Sequence, residues 1–141
     1  MELKWEFSAG GVVYKKEDGK VYVLLIRVKN RWSFPKGNIE REEPREKAAL
    51  REVKEETGVD AQVVDFLGEI EYWYSLHGYK IHKFVYYYLM KYTGGDITPQ
   101  KEEIDEAKFV PLEEAENLLT YDNDKKILQR AIKKLKELGE I

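Results

Sequence analysis

Glu52, Glu55 and Glu56 stand within the run Arg51-Glu52-Val53-Lys54-Glu55-Glu56-Thr57-Gly58. On a helix turning about 100° per residue, Glu55 lies about 60° to one side of Glu52 and Glu56 about 40° to the other, so the three carboxylates share one sector. Carboxylates this close repel and raise one another's pKa, whereas a divalent cation at their centre reverses that cost. The chain has no Cys and the cluster has no nearby His, so the donors are oxygen and the matching ion is Mg²⁺, or Mn²⁺ in its place. Mg²⁺ commonly joins a few carboxylates to the phosphates of a substrate, which points to a phosphate-bearing substrate. The plainer reading is a solvated helix face in a Glu-rich chain, with each Glu paired to a Lys or Arg one turn away.

The elements that must carry this cluster follow from pattern. Pro44 to Thr57 reads as a helix: Pro suits the first turn, Ala48, Ala49, Leu50 and Val53 form an apolar stripe, and Gly58 is placed to end it. Trp5 to Tyr14 and Val21 to Val28 are β-rich runs joined through Asp18-Gly19, a strong hairpin signal, so they should pair antiparallel. Val63 to Tyr74 and Tyr79 to Tyr92 predict a second hairpin across Ser75-Leu76-His77-Gly78. A short strand around Lys108 to Val110 precedes two helical stretches. The last, Asp124 to Leu138, places Ile127, Leu128, Ala131, Ile132, Leu135 and Leu138 at helical spacing, the stripe of a helix packed on a sheet. The fold class is α+β, a mixed sheet with helices on its faces.

Composition narrows the function. The chain has 141 residues, long enough for one domain with an ordinary core, and its 24 Lys+Arg against 27 Asp+Glu give a net charge of −3. Charged residues reach 36%, but the signs alternate closely, which disfavours broad capture of a long nucleic acid. No apolar run approaches the roughly 20 residues of a membrane helix and the first residues lack a signal peptide's apolar stretch, so the expectation is a cytoplasmic protein without a membrane partner. Lys and Glu dominate while Asn, Gln and Met are few, the bias reported for proteins of hyperthermophiles.

The spacing around the helix carries a resemblance. Gly37, five residues, Glu43, seven residues, then Arg51-Glu52-Val53-x-Glu55-Glu56-x-Gly58-Val59 resembles the signature of the Nudix hydrolases at every fixed position. The likeness covers essentially the whole chain, 1–141, as one domain with its signature at 37–59. It implies the Nudix fold, a mixed β-sheet sandwiched between α-helices, in which the signature forms a loop, a helix and a loop. It also implies hydrolysis of a nucleoside diphosphate linked to another group, with water attacking phosphorus and Mg²⁺ held by the glutamates. Carried over by position, Glu52 and Glu56 are the principal metal ligands, Glu55 holds a further ion or water, and the backbone carbonyl of Lys36 completes the set. Arg51 and Glu43 are implied as a supporting pair that orients the carboxylates. The base is Glu55 or Glu103; relatives place a further catalytic or metal-binding glutamate where Glu103 stands, with Glu102 as its neighbour and competitor.

The flanking segments Ser8-Ala9-Gly10-Gly11-Val12-Val13-Tyr14, Trp32-Ser33-Phe34-Pro35-Lys36-Gly37 and Phe109-Val110-Pro111-Leu112-Glu113-Glu114-Ala115 resemble the diadenosine tetraphosphate hydrolases within that family. The implied partner is a small dinucleoside polyphosphate, cut into ATP and AMP. An RNA 5′ end, a diphosphoinositol polyphosphate, ADP-ribose or an oxidised nucleoside triphosphate are alternatives, as is a nucleotide-sensing module without turnover. Tyr74 is the expected ring under an adenine, with Trp32 a second loop aromatic; each has ordinary strand packing as its plainer role. Lys36, Arg27 and Lys83 are the expected phosphate cations. His77 and His82 are assigned to neither metal nor catalysis, the charged ending is read as the wet face of a helix, and the oligomeric state is open.

Overall fold

The computed structural model describes residues 2–141. Seven strands form one mixed sheet: β1 (Glu2–Glu17), β2 (Lys20–Val28), β3 (Arg31–Ser33), β4 (Lys36–Asn38), β5 (Asp60–Leu76), β6 (Tyr79–Gly94) and β7 (Glu106–Pro111). Three helices accompany it: α1 (Arg45–Thr57), α2 (Leu112–Leu118) and α3 (Asp122–Glu137). The main order is β3-β2-β1-β6-β5, with β4 on β1 and β7 on β2.

Both expected hairpins form. Glu17 pairs Lys20 across Asp18 (φ 50°) and Gly19 (φ 78°), and Leu76 pairs Tyr79 across His77 (φ 48°) and Gly78 (φ 80°). Two consecutive positive φ values make each a two-residue turn whose twist matches that of its strands. The second turn is tighter than the four residues predicted, and it gives His77 a backbone role.

The sequence does not reveal that β1 and β6 run parallel from Glu2↔Tyr79 to Tyr14↔Lys91. This pairing sets two apolar strands at the centre of the sheet, buried on both faces over Ser8 to Tyr14 of β1 and Val85 to Met90 of β6. Val12, Val85, Tyr87 and Leu89 face α2 and α3, where Ile127, Leu128, Ala131 and Leu135 complete one core cluster. Ala9, Val13, Tyr86, Tyr88 and Met90 face α1 and pack on Ala48, Ala49 and Val53. Burial on both faces explains why these strands read as continuous apolar runs. Leu138, predicted as part of the α3 stripe, lies past the helix end and is exposed. Strands β3 and β4 escaped prediction because three residues carry no readable alternation.

Candidate active site

The helix α1 is the platform of the site. Pro44 precedes it, and Gly58 (φ 82°) ends it in the left-handed conformation with its N–H on the Lys54 carbonyl at 2.8 Å. The helix end ties down a distant strap: Thr98 N–H reaches the Thr57 carbonyl (2.7 Å) and Gln100 N–H the Glu56 carbonyl (3.1 Å). Ile104 then buries against Ile26 and Ala107, so the intervening Glu103 is held over the carboxylate face of α1.

Arg51 organises the carboxylates. Its guanidinium donates twice to Glu43, from Nε at 2.7 Å and Nη2 at 2.9 Å, and once to the Asn38 carbonyl at 3.0 Å. Nη1 reaches Glu52 at 2.7 Å and Glu55 at 3.2 Å. The fork on Glu43, helped by the Glu40 N–H, holds that carboxyl down at about 2. Glu56 is 8% exposed and accepts the Lys36 N–H at 2.8 Å. Burial pushes its pKa up to about 7, and the charges of Glu52 and Glu103 push the same way against Lys36. Burial also raises Glu52, with Glu55 and Glu103 adding to it.

Glu52, Glu55, Glu56 and Glu103 therefore line one cleft of about 340 Å³ together with Ser8, Asn38 and Lys83. Gly37 adjoins this wall, and a Cβ there would overlap the Glu52 carboxylate, so close approach requires glycine at that position. The donors fit a hard divalent ion: all are oxygens, and burial together with the neighbouring carboxylates disfavours the charged forms of Glu52 and Glu56 in a way such an ion relieves. Among the described residues no three acidic or His side chains already stand in coordinating geometry. Arg51 draws Glu52 and Glu55, and the Lys36 N–H engages Glu56, so an ion must compete with these partners.

Two further cavities adjoin the cleft, and Lys36 lines all three. One, about 280 Å³, is built by Ile70, Tyr72, Tyr121, Asn123 and Asp124 with Ser33; the other, about 390 Å³, by Lys29, Arg31, Glu56, Glu103 and Tyr121 among others. Asp124 is 3% exposed, and burial raises its carboxyl to about 6 against the pull of Lys36.

The predicted residues divide accordingly. Glu52, Glu55, Glu56, Glu103, Lys36 and Lys83 meet at the cleft, and Glu103 rather than Glu102 lines it. Lys83 reaches Asn38 Oδ1 (3.1 Å) and Glu6 (3.4 Å), and burial lowers its pKa. Tyr74, Trp32 and Arg27 do not line these cavities. The Tyr74 hydroxyl donates to Glu6, the carboxylate that also holds Lys83, so Tyr74 braces a cation where a stacking ring was expected. Trp32 packs on the core, with the Lys108 ammonium 4.9 Å from its ring centre. Arg27 is taken by Glu106 (3.3 Å), Asp105 (3.9 Å) and the Lys29 carbonyl (2.7 Å), and so clamps the chain just after Glu103. The sequence reading missed Tyr121 and Asp124. Tyr72, which lines the aromatic cavity, lies two residues from Tyr74 on the same strand, with ring centroids 6.2 Å apart.

An acidic cleft on a loop-helix-loop, continuous with an aromatic cavity on a helix-flanked mixed sheet, defines an α+β domain suited to a phosphate-bearing ligand. The NUDIX domain model matches residues 4–131, and the chain belongs to this family. MutT4 of Mycobacterium tuberculosis is 39% identical over 139 residues, covering 93% of this chain and 56% of that protein. An 8-oxo-(d)GTP phosphatase of Mycolicibacterium smegmatis is 37% identical over 103 residues, covering 73% of this chain and 30% of that protein. The chain thus spans 56% and 30% of these two relatives. A crystal structure of a C. elegans Ap4A hydrolase binary complex aligns with TM-score 0.73 at 26% identity, over 94% of this chain and 98% of that one.

Proposed function

We propose that this protein hydrolyses the polyphosphate chain of diadenosine tetraphosphate to ATP and AMP with Mg²⁺, or Mn²⁺ in its place. One observation carries the reading: Lys36 stands at the junction of an aromatic cavity, a central cavity and a carboxylate cleft, which together suit a base, a phosphate chain and a reacting phosphorus. Likeness to the C. elegans Ap4A hydrolase supports it. Glu52, Glu56 and Glu103, with Glu55 and the Lys36 carbonyl, would hold the ion, which when bound neutralises phosphate oxygens and acidifies water. Arg51, fixed by Glu43, keeps Glu52 and Glu55 oriented. Glu103 or Glu55 accepts the proton of the attacking water, Lys36 and Lys83 offset phosphate charge, and Tyr72 and Tyr121 offer rings to a base.

The 37% identity to an 8-oxo-(d)GTP phosphatase supports a second reading, in which the aromatic cavity takes a single nucleoside triphosphate. The buried Asp124 carboxyl would then accept N–H groups of the base. A turnover panel separates the two: diadenosine tetraphosphate, 8-oxo-dGTP, ADP-ribose, a diphosphoinositol phosphate and a triphosphorylated RNA, each with Mg²⁺ and with EDTA. The expected result is fastest Mg²⁺-dependent loss of the dinucleotide, yielding ATP and AMP. Faster loss of 8-oxo-dGTP establishes the second reading, and no turnover of any substrate sinks both.

A further inference from the structure

Beyond the cores, β1, β6 and β5 run on as a three-stranded leaf. Cross-strand register sets three rows on one face: Leu3–Lys80–Ser75, Trp5–His82–Trp73 and Phe7–Phe84–Glu71. The rings are already stacked side by side, with centroids at 4.0 Å for Trp73 and His82, 4.3 Å for His82 and Phe84, and 5.4 Å for Phe7 and Phe84. Yet Leu3, Trp5, Phe7 and Trp73 leave 57, 60, 46 and 49% of their surfaces open. At roughly 200 Å² for a large side chain, that is about 400 Å² of exposed apolar area, the size of patch that marks an interaction surface.

We propose that a second copy of this chain covers this face, forming a two-fold dimer by sheet-on-sheet packing. A standard interface buries about 800 Å² per partner, somewhat over half of it apolar, and that apolar share is what the four side chains with the flanking Phe84 and the Lys80 stem supply. The charges are self-complementary. Lys80 lies one row to one side of the Trp5–His82–Trp73 row and Glu71 one row to the other. A two-fold axis along the middle row sets Lys80 of one copy over Phe84 of the second copy, one strand, about 4.8 Å, from Glu71 of that copy. That is within a lysine's reach, and symmetry makes the pair twice. Lys80 is exposed with its ammonium 5.1 Å from the Trp73 ring centre, and the Glu71 side chain is 60% exposed with its carboxylate 3.4 Å from His82 Nε2, so the pair between copies forms by exchange of these local surface contacts.

Sedimentation equilibrium and light scattering from 1 to 100 µM test the proposal. The wild type is expected to show twice the chain mass at the upper end, and the double substitution Trp5→Glu with Trp73→Glu a single chain mass throughout, with an unchanged far-UV circular dichroism spectrum. Lys80→Glu should weaken association at least tenfold and the swap Lys80→Glu with Glu71→Lys should restore it; this pair decides the matter if the tryptophan variant misfolds. A wild type that stays monomeric at 100 µM, including one that instead floats with lipid vesicles, overturns the proposal. So does a dimer that the substitutions leave intact.

Discussion

Glu56 is the residue on which the site turns, because it combines near-complete burial with a carboxyl pushed up to about 7. Glu56→Gln keeps the oxygen that accepts the Lys36 N–H and removes the charge. The expected outcome is loss of metal-supported turnover by several orders of magnitude with the fold retained; near-normal kcat by product chromatography would refute the ion-binding assignment. The two tyrosine roles separate in kinetics. Tyr121→Ala should raise KM for the dinucleotide by an amount worth about 1 to 3 kcal/mol, the value of a lost base stack, with a smaller effect on kcat. Tyr74→Phe keeps the ring and loses the hydroxyl that holds Glu6 beside Lys83, so it should impair turnover through the phosphate cation; kinetics identical to wild type would leave Tyr74 as packing alone.

The loop-helix-loop works because each end of α1 is fixed by backbone. At Gly58, φ is 82° and an added Cβ would stand 2.5 Å from the Asp96 carbonyl oxygen. Gly58→Ala therefore combines left-handed strain with a backbone clash, and a loss of about 1 to 3 kcal/mol in urea unfolding is expected. The same substitution should disturb the strap that hangs from Thr57 and Glu56, moving Glu103, so turnover should fall more than stability predicts. An unchanged unfolding midpoint would mean that the strap and helix end yield without cost.

For the molecule as a whole, one paired carboxyl, Glu43, and two buried ones, Glu56 and Asp124, make stability depend on pH. Glu43, held at about 2, binds its proton less tightly folded than unfolded; it stabilises fully above about pH 4.5 and loses that effect as pH falls toward 2. Glu56 and Asp124, raised to about 7 and about 6, bind theirs more tightly when folded. They cost nothing below about pH 4, and an increasing penalty accrues as pH rises through 6 and 7, on the order of 3 kcal/mol for Glu56 once ionised. The Tm of the metal-free protein should therefore peak near pH 4 to 5 and decline toward pH 7.5, and Glu56→Gln should flatten the decline. Scanning calorimetry over pH 3 to 8 checks this, and a Tm that rises from pH 5 to 7.5 contradicts it.

The sequence by itself determined the local parts: a hairpin at Asp18-Gly19 and a second within Ser75 to Gly78, a helix bounded by Pro44 and Gly58, the shared sector of Glu52, Glu55 and Glu56, and the family membership that the 37–59 spacing carried. These depend on contacts a few residues apart, which periodicity and turn chemistry specify directly. The tertiary structure alone decided which aromatic and cationic side chains line the cavities beside α1. Parallel pairing of β1 with β6 set Glu6 beside Lys83 and Tyr74, separations of 77 and 68 residues. Chain return after β7 delivered Tyr121 and Asp124 to the cavity beside Tyr72. Arg27, Trp32 and Tyr74 have the residue types a phosphate or base would require, but each found a nearer partner in Glu106, the core or Glu6. A side chain's type fixes what it can bind; only its neighbours across the fold fix whether it is free to do so.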